Sequence, residues 1–169
     1  TNLNVTLGQR IRIRFYNIGL NTHPMHLHGQ DFMHVEQDGN RLANPMQLNT
    51  LPVAPGQTQA IEILLSNPGI WPLHCHIAHH AANNLSSGFG GMAVRIVISP
   101  PLNISRSDSK VSLSWSSPFN TFTLQRSSDL KTWGLETTDG TEENGDISVS
   151  EPVQEPAEFF RLIQKLPNQ

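Results

Sequence analysis

Three observations in the 169-residue sequence predict an all-β protein built as two units. Twelve glycines and twelve prolines are scattered among short apolar runs, the way turns punctuate strands. Residues 10–16, Arg-Ile-Arg-Ile-Arg-Phe-Tyr, alternate strictly, the period of a half-buried strand. Charge and histidine also divide unevenly at Pro100-Pro101. All eight histidines precede that pair; residues 1–100 carry five Arg against four Asp/Glu (+1), and residues 101–169 six Lys/Arg against ten Asp/Glu (−4). The proline pair reads as a short stiff hinge between a domain at 1–99 and a smaller module at 100–169.

Composition narrows the function classes. A charged fraction of 15% and a net charge of −3, without a basic patch interleaved with aromatics, argue against nucleic acid. No apolar run approaches the ~20 residues that a membrane helix needs, and no signal peptide is visible. That second absence says little about location, because Thr1-Asn2-Leu3-Asn4-Val5 reads like the middle of a protein. A single cysteine, Cys75, excludes an intrachain disulfide.

Taken in order, Arg10–Tyr16 is a strand with Ile11, Ile13 and Phe15 inward; the three arginines opposite read as a solvated outer face rather than a binding stripe. Residues 17–21 are a loop. Asp38-Gly39-Asn40 is a hairpin turn signal. Residues 52–58 are a turn-rich entry to a strand over 59–65, and Asn67-Pro68-Gly69 turns the chain into the stretch that holds the cysteine. Residues 83–91 read as a loop and 92–98 as the closing strand. Beyond the hinge, β runs at 102–105, 110–115, 121–125, 131–133, 147–150 and 158–163 suggest a small β-sandwich. Trp115 and Trp133 suit core packing better than a sugar platform.

Chemistry concentrates in two stretches. His74-Cys75-His76-Ile77-Ala78-His79-His80 surrounds the only cysteine with imidazoles, and His23-Pro24-Met25-His26-Leu27-His28-Gly29 supplies three more. A soft thiolate among borderline imidazoles favours copper or zinc. On an extended chain side chains alternate between faces, so His74 and His76 share one side and Cys75 takes the other. His26 and His28 likewise share a face, and His23 falls on the opposite parity, although Pro24 can bend the segment. The ligands thus sort into one set of His23, Cys75 and His80 and another of His26, His28, His74 and His76. A His₂Cys set is the geometry of blue-copper electron transfer, whereas zinc prefers four donors. His34 and His79 fit neither set, and read as a strand histidine and an outlying one.

Residues 1–99, through these two motifs and the supporting stretches Val53-Ala54-Pro55-Gly56-Gln57-Thr58 and Asn67-Pro68-Gly69-Ile70-Trp71, resemble the last cupredoxin domain of the multicopper oxidases. The resemblance implies a cupredoxin-like Greek-key β-barrel or sandwich. It implies His23, Cys75 and His80 as type 1 copper ligands, His26 as a type 2 ligand, and His28, His74 and His76 as type 3 ligands. It further implies one-electron oxidation of a phenolic or metal-ion donor, with electrons passing through His74-Cys75-His76 to a trinuclear cluster that reduces dioxygen to water. Counting from Cys75 puts Leu85 at the axial position of the type 1 site, with Met92 as the rival. Many relatives carry an acid just after the second histidine of the cysteine motif; Ile77-Ala78 offers none. The cluster takes eight histidines and this chain supplies four, so an additional cupredoxin domain is expected, upstream or from another subunit. Location is expected to be periplasmic or extracellular. Residues 100–169 resemble, more weakly, fibronectin-like terminal modules of secreted bacterial proteins, and suit spacing or attachment. The competing readings are a blue-copper electron carrier that uses only the type 1 site, a copper-free structural cupredoxin, and a copper nitrite reductase, whose motif arrangement differs. A carrier has no need for His26, His28, His74 and His76, and every ligand expected of this domain is present.

Overall fold

The computed structural model describes residues 2–83, 90–116, 122–135, 140–143, 145–152 and 157–164. It divides into two compact units, Thr1–Ile98 and Ser99–Gln169. Leu85 lies outside the described residues.

The first unit holds β1 (Asn2–Thr6), β2 (Arg10–Tyr16), β3 (His23–Leu27), β4 (Phe32–Gln37), β5 (Asn40–Leu48), β6 (Thr50–Val53), β7 (Thr58–Leu64), β8 (Gly69–Cys75), the single-turn helix α1 (Ala78–Ala81) and β9 (Ala93–Ser99). One sheet runs β1-β9-β8-β3-β6 and the other β2-β7-β4-β5. Most neighbours are far apart in sequence, as in Greek-key sandwiches. Both sheets feed one core: Ile61 and Ile63 of β7 and Ile96 and Ile98 of β9 are fully buried, with Leu27, Phe32, Leu51 and Leu73 among them and Ile11, Ile13 and Phe15 packed alongside. Truncating such a residue to alanine costs about 2–5 kcal/mol.

Local sequence explains the turns and the outer face. Asp38 and Gly39 take φ of 50° and 77° between paired Gln37 and Asn40, a two-residue hairpin whose twist suits the strands it joins. A register shift between His34 and Glu36 lets both His34 and Val35 lie buried, which strict alternation forbids and a bulge permits. The arginines of β2 are more than a solvated stripe. Arg12 binds Glu62 across the β2–β7 ladder and sits 3.6 Å from Glu36, which also lies 3.8 Å from Arg14. The Arg12 bond holds Glu62 below its ordinary carboxylate range, and Glu62 in turn raises Arg12.

The second unit holds β10 (Asn103–Arg106), β11 (Lys110–Ser116), β12 (Phe122–Ser127), β13 (Gly134–Leu135), β14 (Thr141–Glu143), β15 (Asp146–Pro152) and β16 (Phe159–Gln164), in sheets β10-β11-β15-β14 and β13-β12-β16. Val111, Leu113, Trp115, Leu124, Ile147 and Val149 form its core. Two expectations are corrected here. Residues 131–133 are not a strand: the Asp129 carboxylate accepts from the backbone N–H of Lys131 (2.8 Å) and Thr132 (2.7 Å) and folds the segment into a turn. Trp133 is not a core residue; it is half-buried, with the Arg161 guanidinium 4.0 Å above its ring. Trp115 is buried, so the two tryptophans form no shared platform.

The junction of the two motif-bearing strands depends on one glycine. Gly29, at φ +79°, ends the β3 stretch against Trp71 of β8, whose ring a Cβ at Gly29 would approach to 2.2 Å. Trp71 Nε1 donates to Asn67 O at 2.7 Å, so the indole cannot readily retreat. Gly39, at φ +77°, has nothing within 4 Å of the same point. Gly39→Ala is therefore expected to cost about 1 kcal/mol of unfolding free energy from backbone strain alone, and Gly29→Ala about 3 kcal/mol from strain plus overpacking, as measured by denaturant titration.

Candidate metal centre

β3 and β8 run antiparallel with Met25 opposite Cys75, His26 opposite His74 and Leu27 opposite Leu73. That register lays the two histidine-rich stretches side by side. Around Cys75 the structure brings together His23 and His80. Cys75 Sγ lies 3.6 Å from His23 Nδ1 and 3.7 Å from His80 Nδ1, and the three ligand atoms all fall within 4.8 Å of one another. A metal held trigonally, with bonds near 2.0 Å to nitrogen and 2.3 Å to sulfur, separates those atoms by about 3.7 Å. The two sulfur-to-nitrogen separations match that value. Among the described residues, no other group of His, Cys, Asp or Glu converges in this way.

Three elements hold the set. His23 opens β3 opposite Val53 of β6. Cys75 closes β8 with its side chain wholly buried, its N–H bonded to Met92 O at 3.0 Å. His80 rides on α1, where its carbonyl accepts from Met92 N–H at 2.9 Å. Gly91, at φ +68°, is the residue that permits this return: a Cβ there would stand 2.2 Å from His80 O. Met92 thus touches the site through its backbone, and with Gly91 and His23 it also borders a cavity of about 690 Å³ lined by Phe15, Leu73 and Val94.

On the other side of β8, His26, His28, His74 and His76 form a second group. Ring centroids lie 4.8 Å apart for His26 and His28, 5.0 Å for His28 and His74, and 5.8 Å for the stacked pair His74 and His76. His26 Nδ1 meets Asn49 O at 2.8 Å and Thr50 Oγ1 at 2.9 Å, and His74 Nδ1 meets Cys75 O at 2.9 Å. An Nδ1–H donated to a carbonyl leaves Nε2 with its lone pair, the form in which an imidazole can bind a metal. His74 Nε2 faces His28 Nε2 at 2.9 Å. Partial burial, then the neighbouring histidines, lower the pKa of His28; burial, then His79 and His23, lower that of His80. Both shifts favour the neutral imidazole, the form that binds metal.

The two remaining histidines lie apart from both groups. His34 is buried in β4, its Nε2 at 2.7 Å from Gln59 Oε1. His79 is exposed, and its ring meets that of His80 edge-on. Asn49 and Thr50, which orient His26, escape sequence reading: they stand 23 and 24 residues away and match no ligand motif.

Comparison with known proteins shows the family. Residues 1–95 match the multicopper oxidase family. Laccase-1 of Arabidopsis thaliana is 33% identical over 115 residues, covering 57% of this chain and 20% of that protein. Multicopper oxidase MmcO of Mycobacterium tuberculosis is 36% identical over 94 residues, 56% of this chain and 17% of that protein. Among solved structures, the blue copper oxidase from Nitrosomonas europaea superposes with a TM-score of 0.54 at 29% identity, over 57% of this chain and 30% of that one. The multicopper oxidase mgLAC gives 0.53 at 32% identity, over 57% and 30%. The chain spans a fifth or less of the length of these two curated relatives. With the family matched over more than half of its length, this chain belongs to the multicopper oxidases, copper-binding proteins with type 1 and trinuclear centres.

Proposed function

We propose that the chain is the electron-accepting cupredoxin portion of an oxidase that couples one-electron oxidation of a phenolic or metal-ion donor to reduction of dioxygen to water. The observation that carries this reading is the placement of Cys75 between His74 and His76: Sγ faces His23 and His80, and the flanking rings face His26 and His28. Copper bound at these residues would supply reversible one-electron chemistry on one side and dioxygen reduction on the other. The chain's own contribution is to hold both ligand sets on one strand. A path from Cys75 Sγ through its backbone to either neighbouring imidazole crosses only a few covalent bonds. Burial of Cys75 excludes water and competing thiols from the sulfur, and the Nδ1 bonds of His26 and His74 fix their tautomers.

His23, Cys75 and His80 are the type 1 ligands in this reading. His26 serves the type 2 position and His28, His74 and His76 the type 3 positions. The axial position falls to Leu85 by count, with Met92 as the rival. Four histidines complete only half of the cluster, so a second cupredoxin domain supplies the other half. No helix among the described residues is long and apolar enough to cross a membrane, and a periplasmic or extracellular setting suits the relatives. Residues 99–169 contain no histidine or cysteine and serve as a spacing or attachment module.

Loaded with Cu(II), the chain should show the intense visible thiolate-to-copper absorption. Cys75→Ser should abolish it, whereas His26→Ala and His76→Ala should leave it in place; a band that survives Cys75→Ser would refute the assignment. Met92→Leu should leave the reduction potential unchanged if Leu85 is axial, and a clear rise measured by redox titration would assign Met92 instead. Purified alone, the chain should accept one electron per copper without consuming dioxygen. Steady phenol turnover by this chain, with nothing added, would contradict the half-cluster reading. Failure of a supplied second cupredoxin domain to restore dioxygen uptake would leave electron carriage as the function.

A further inference from the structure

Asn17 is polar, only 8% exposed, and belongs to neither ligand set. It ends β2 and opens the loop 17–22 that delivers His23 into β3. Its side chain is fully engaged: Nδ2 donates to Asn21 O at 2.7 Å and to Val53 O at 2.8 Å, and Oδ1 accepts from Gly19 N–H at 2.9 Å. Its backbone is engaged as well, the N–H donating to Gln57 O at 3.0 Å and the carbonyl accepting from Gly56 N–H at 2.8 Å.

We propose that Asn17 is a positioning residue for the ligand His23: it clamps the loop 17–22 to β6 and so fixes the His23 ring against Cys75. Three placements carry this inference. The carbonyl that accepts from Asn17 belongs to Val53, the residue paired with His23 across the β3–β6 ladder. The bond to Asn21 O closes the loop on itself two residues before the ligand. The bond from Gly19 draws the loop over the far edge of the ring, where a Cβ at Gly19 would lie 3.3 Å from Asn17 Oδ1 and 3.9 Å from His23 Nε2. The ring is therefore bounded on its Nε2 side by a loop that Asn17 holds, while Nδ1 meets Cys75 Sγ at 3.6 Å. The outward side chains of that loop cannot serve as the anchor, since Ile18 is 99% and Leu20 95% exposed. Three of the loop's tethers, to Asn21, Val53 and Gly19, pass through one buried amide. Removing it leaves the carbonyls of Val53 and Asn21 and the N–H of Gly19 without their partner, which frees the loop rather than the strands.

The inference rests on the copper reading of His23, Cys75 and His80, and the test separates the two. In the full 169-residue chain, Asn17→Ala and Asn17→Asp are compared with wild type and with Ile61→Val, a core change on β7 in the other sheet. Asn17→Asp keeps the volume and the acceptor for Gly19 while losing both donations. Two quantities are read: the imidazole ¹⁵N–¹H signals of His23 in metal-free protein, and the Cu(II) affinity and absorption maximum of the thiolate band. Both Asn17 variants should split or broaden the His23 signals, shift the band, and weaken Cu(II) binding about 10–100-fold, the usual effect of losing a residue that orients a ligand. Ile61→Val should leave the signals and the affinity within twofold of wild type, so lost stability alone does not mimic the effect. Gly19→Ala, whose Cβ would crowd Asn17 Oδ1 at 3.3 Å and so disturb the clamp from the loop side, should shift the band with the fold intact. An Asn17 variant with unchanged His23 signals and affinity within twofold overturns the proposal. A wild-type chain without a thiolate band overturns the copper reading instead, and the metal-free signals still decide the role of Asn17.

Discussion

The antiparallel pairing of β3 with β8 sets the position of every candidate histidine and cysteine ligand except His80. Three residue pairs, Met25 with Cys75, His26 with His74 and Leu27 with Leu73, fix which rings meet. A shift by one residue would exchange the faces and send His74 toward the sulfur's partners. The register is held from both sides. Leu27 and Leu73 are buried in the common core, so slippage would expose them, and the Trp71 ring lies where Gly29 has no side chain. The apolar interior and the metal ligands alternate along the same strands, which makes the geometry of the site a direct product of core packing.

Around that pair the supporting contacts come from short stretches that carry no metal chemistry. Thr50 and Asn49 orient His26, Asn17 ties its loop to Val53, and Met92 bonds through its backbone to both Cys75 and His80. β6 contributes to two of these tasks, holding His26 through Thr50 and lying opposite His23 through Val53. Such contacts set tautomer and ring angle, which in metal sites matter nearly as much as ligand identity.

Much of this was legible in the sequence, and the limits have physical causes. Alternation of residue types at Arg10–Tyr16, the Asp38-Gly39 turn and the two histidine motifs each depend on local chemistry, and each sorted as parity requires. The strand expected at 131–133 failed because Asp129 offers its carboxylate to the backbone N–H groups that a ladder would need. The bulge that buries both His34 and Val35 has no signal in the residue pattern, because it adds a residue to one strand only. The partners of His26 and Asn17 were hidden for another reason: Asn49, Thr50 and Val53 stand 23 to 36 residues away, and only the folded sheets bring them close. Local rules read single strands; contacts between strands depend on the whole topology.

The short helix α1 makes the three candidate ligands unequal in their support. His23 and Cys75 arrive with the sandwich, since both sit in paired strands and the sulfur is sealed as the core closes. His80 instead sits on a four-residue turn with no buried residue and no side-chain cap at Ile77. One turn of helix has almost no stability of its own. The third ligand of the set is therefore the least firmly supported of the three, and a bound ion would add most order there.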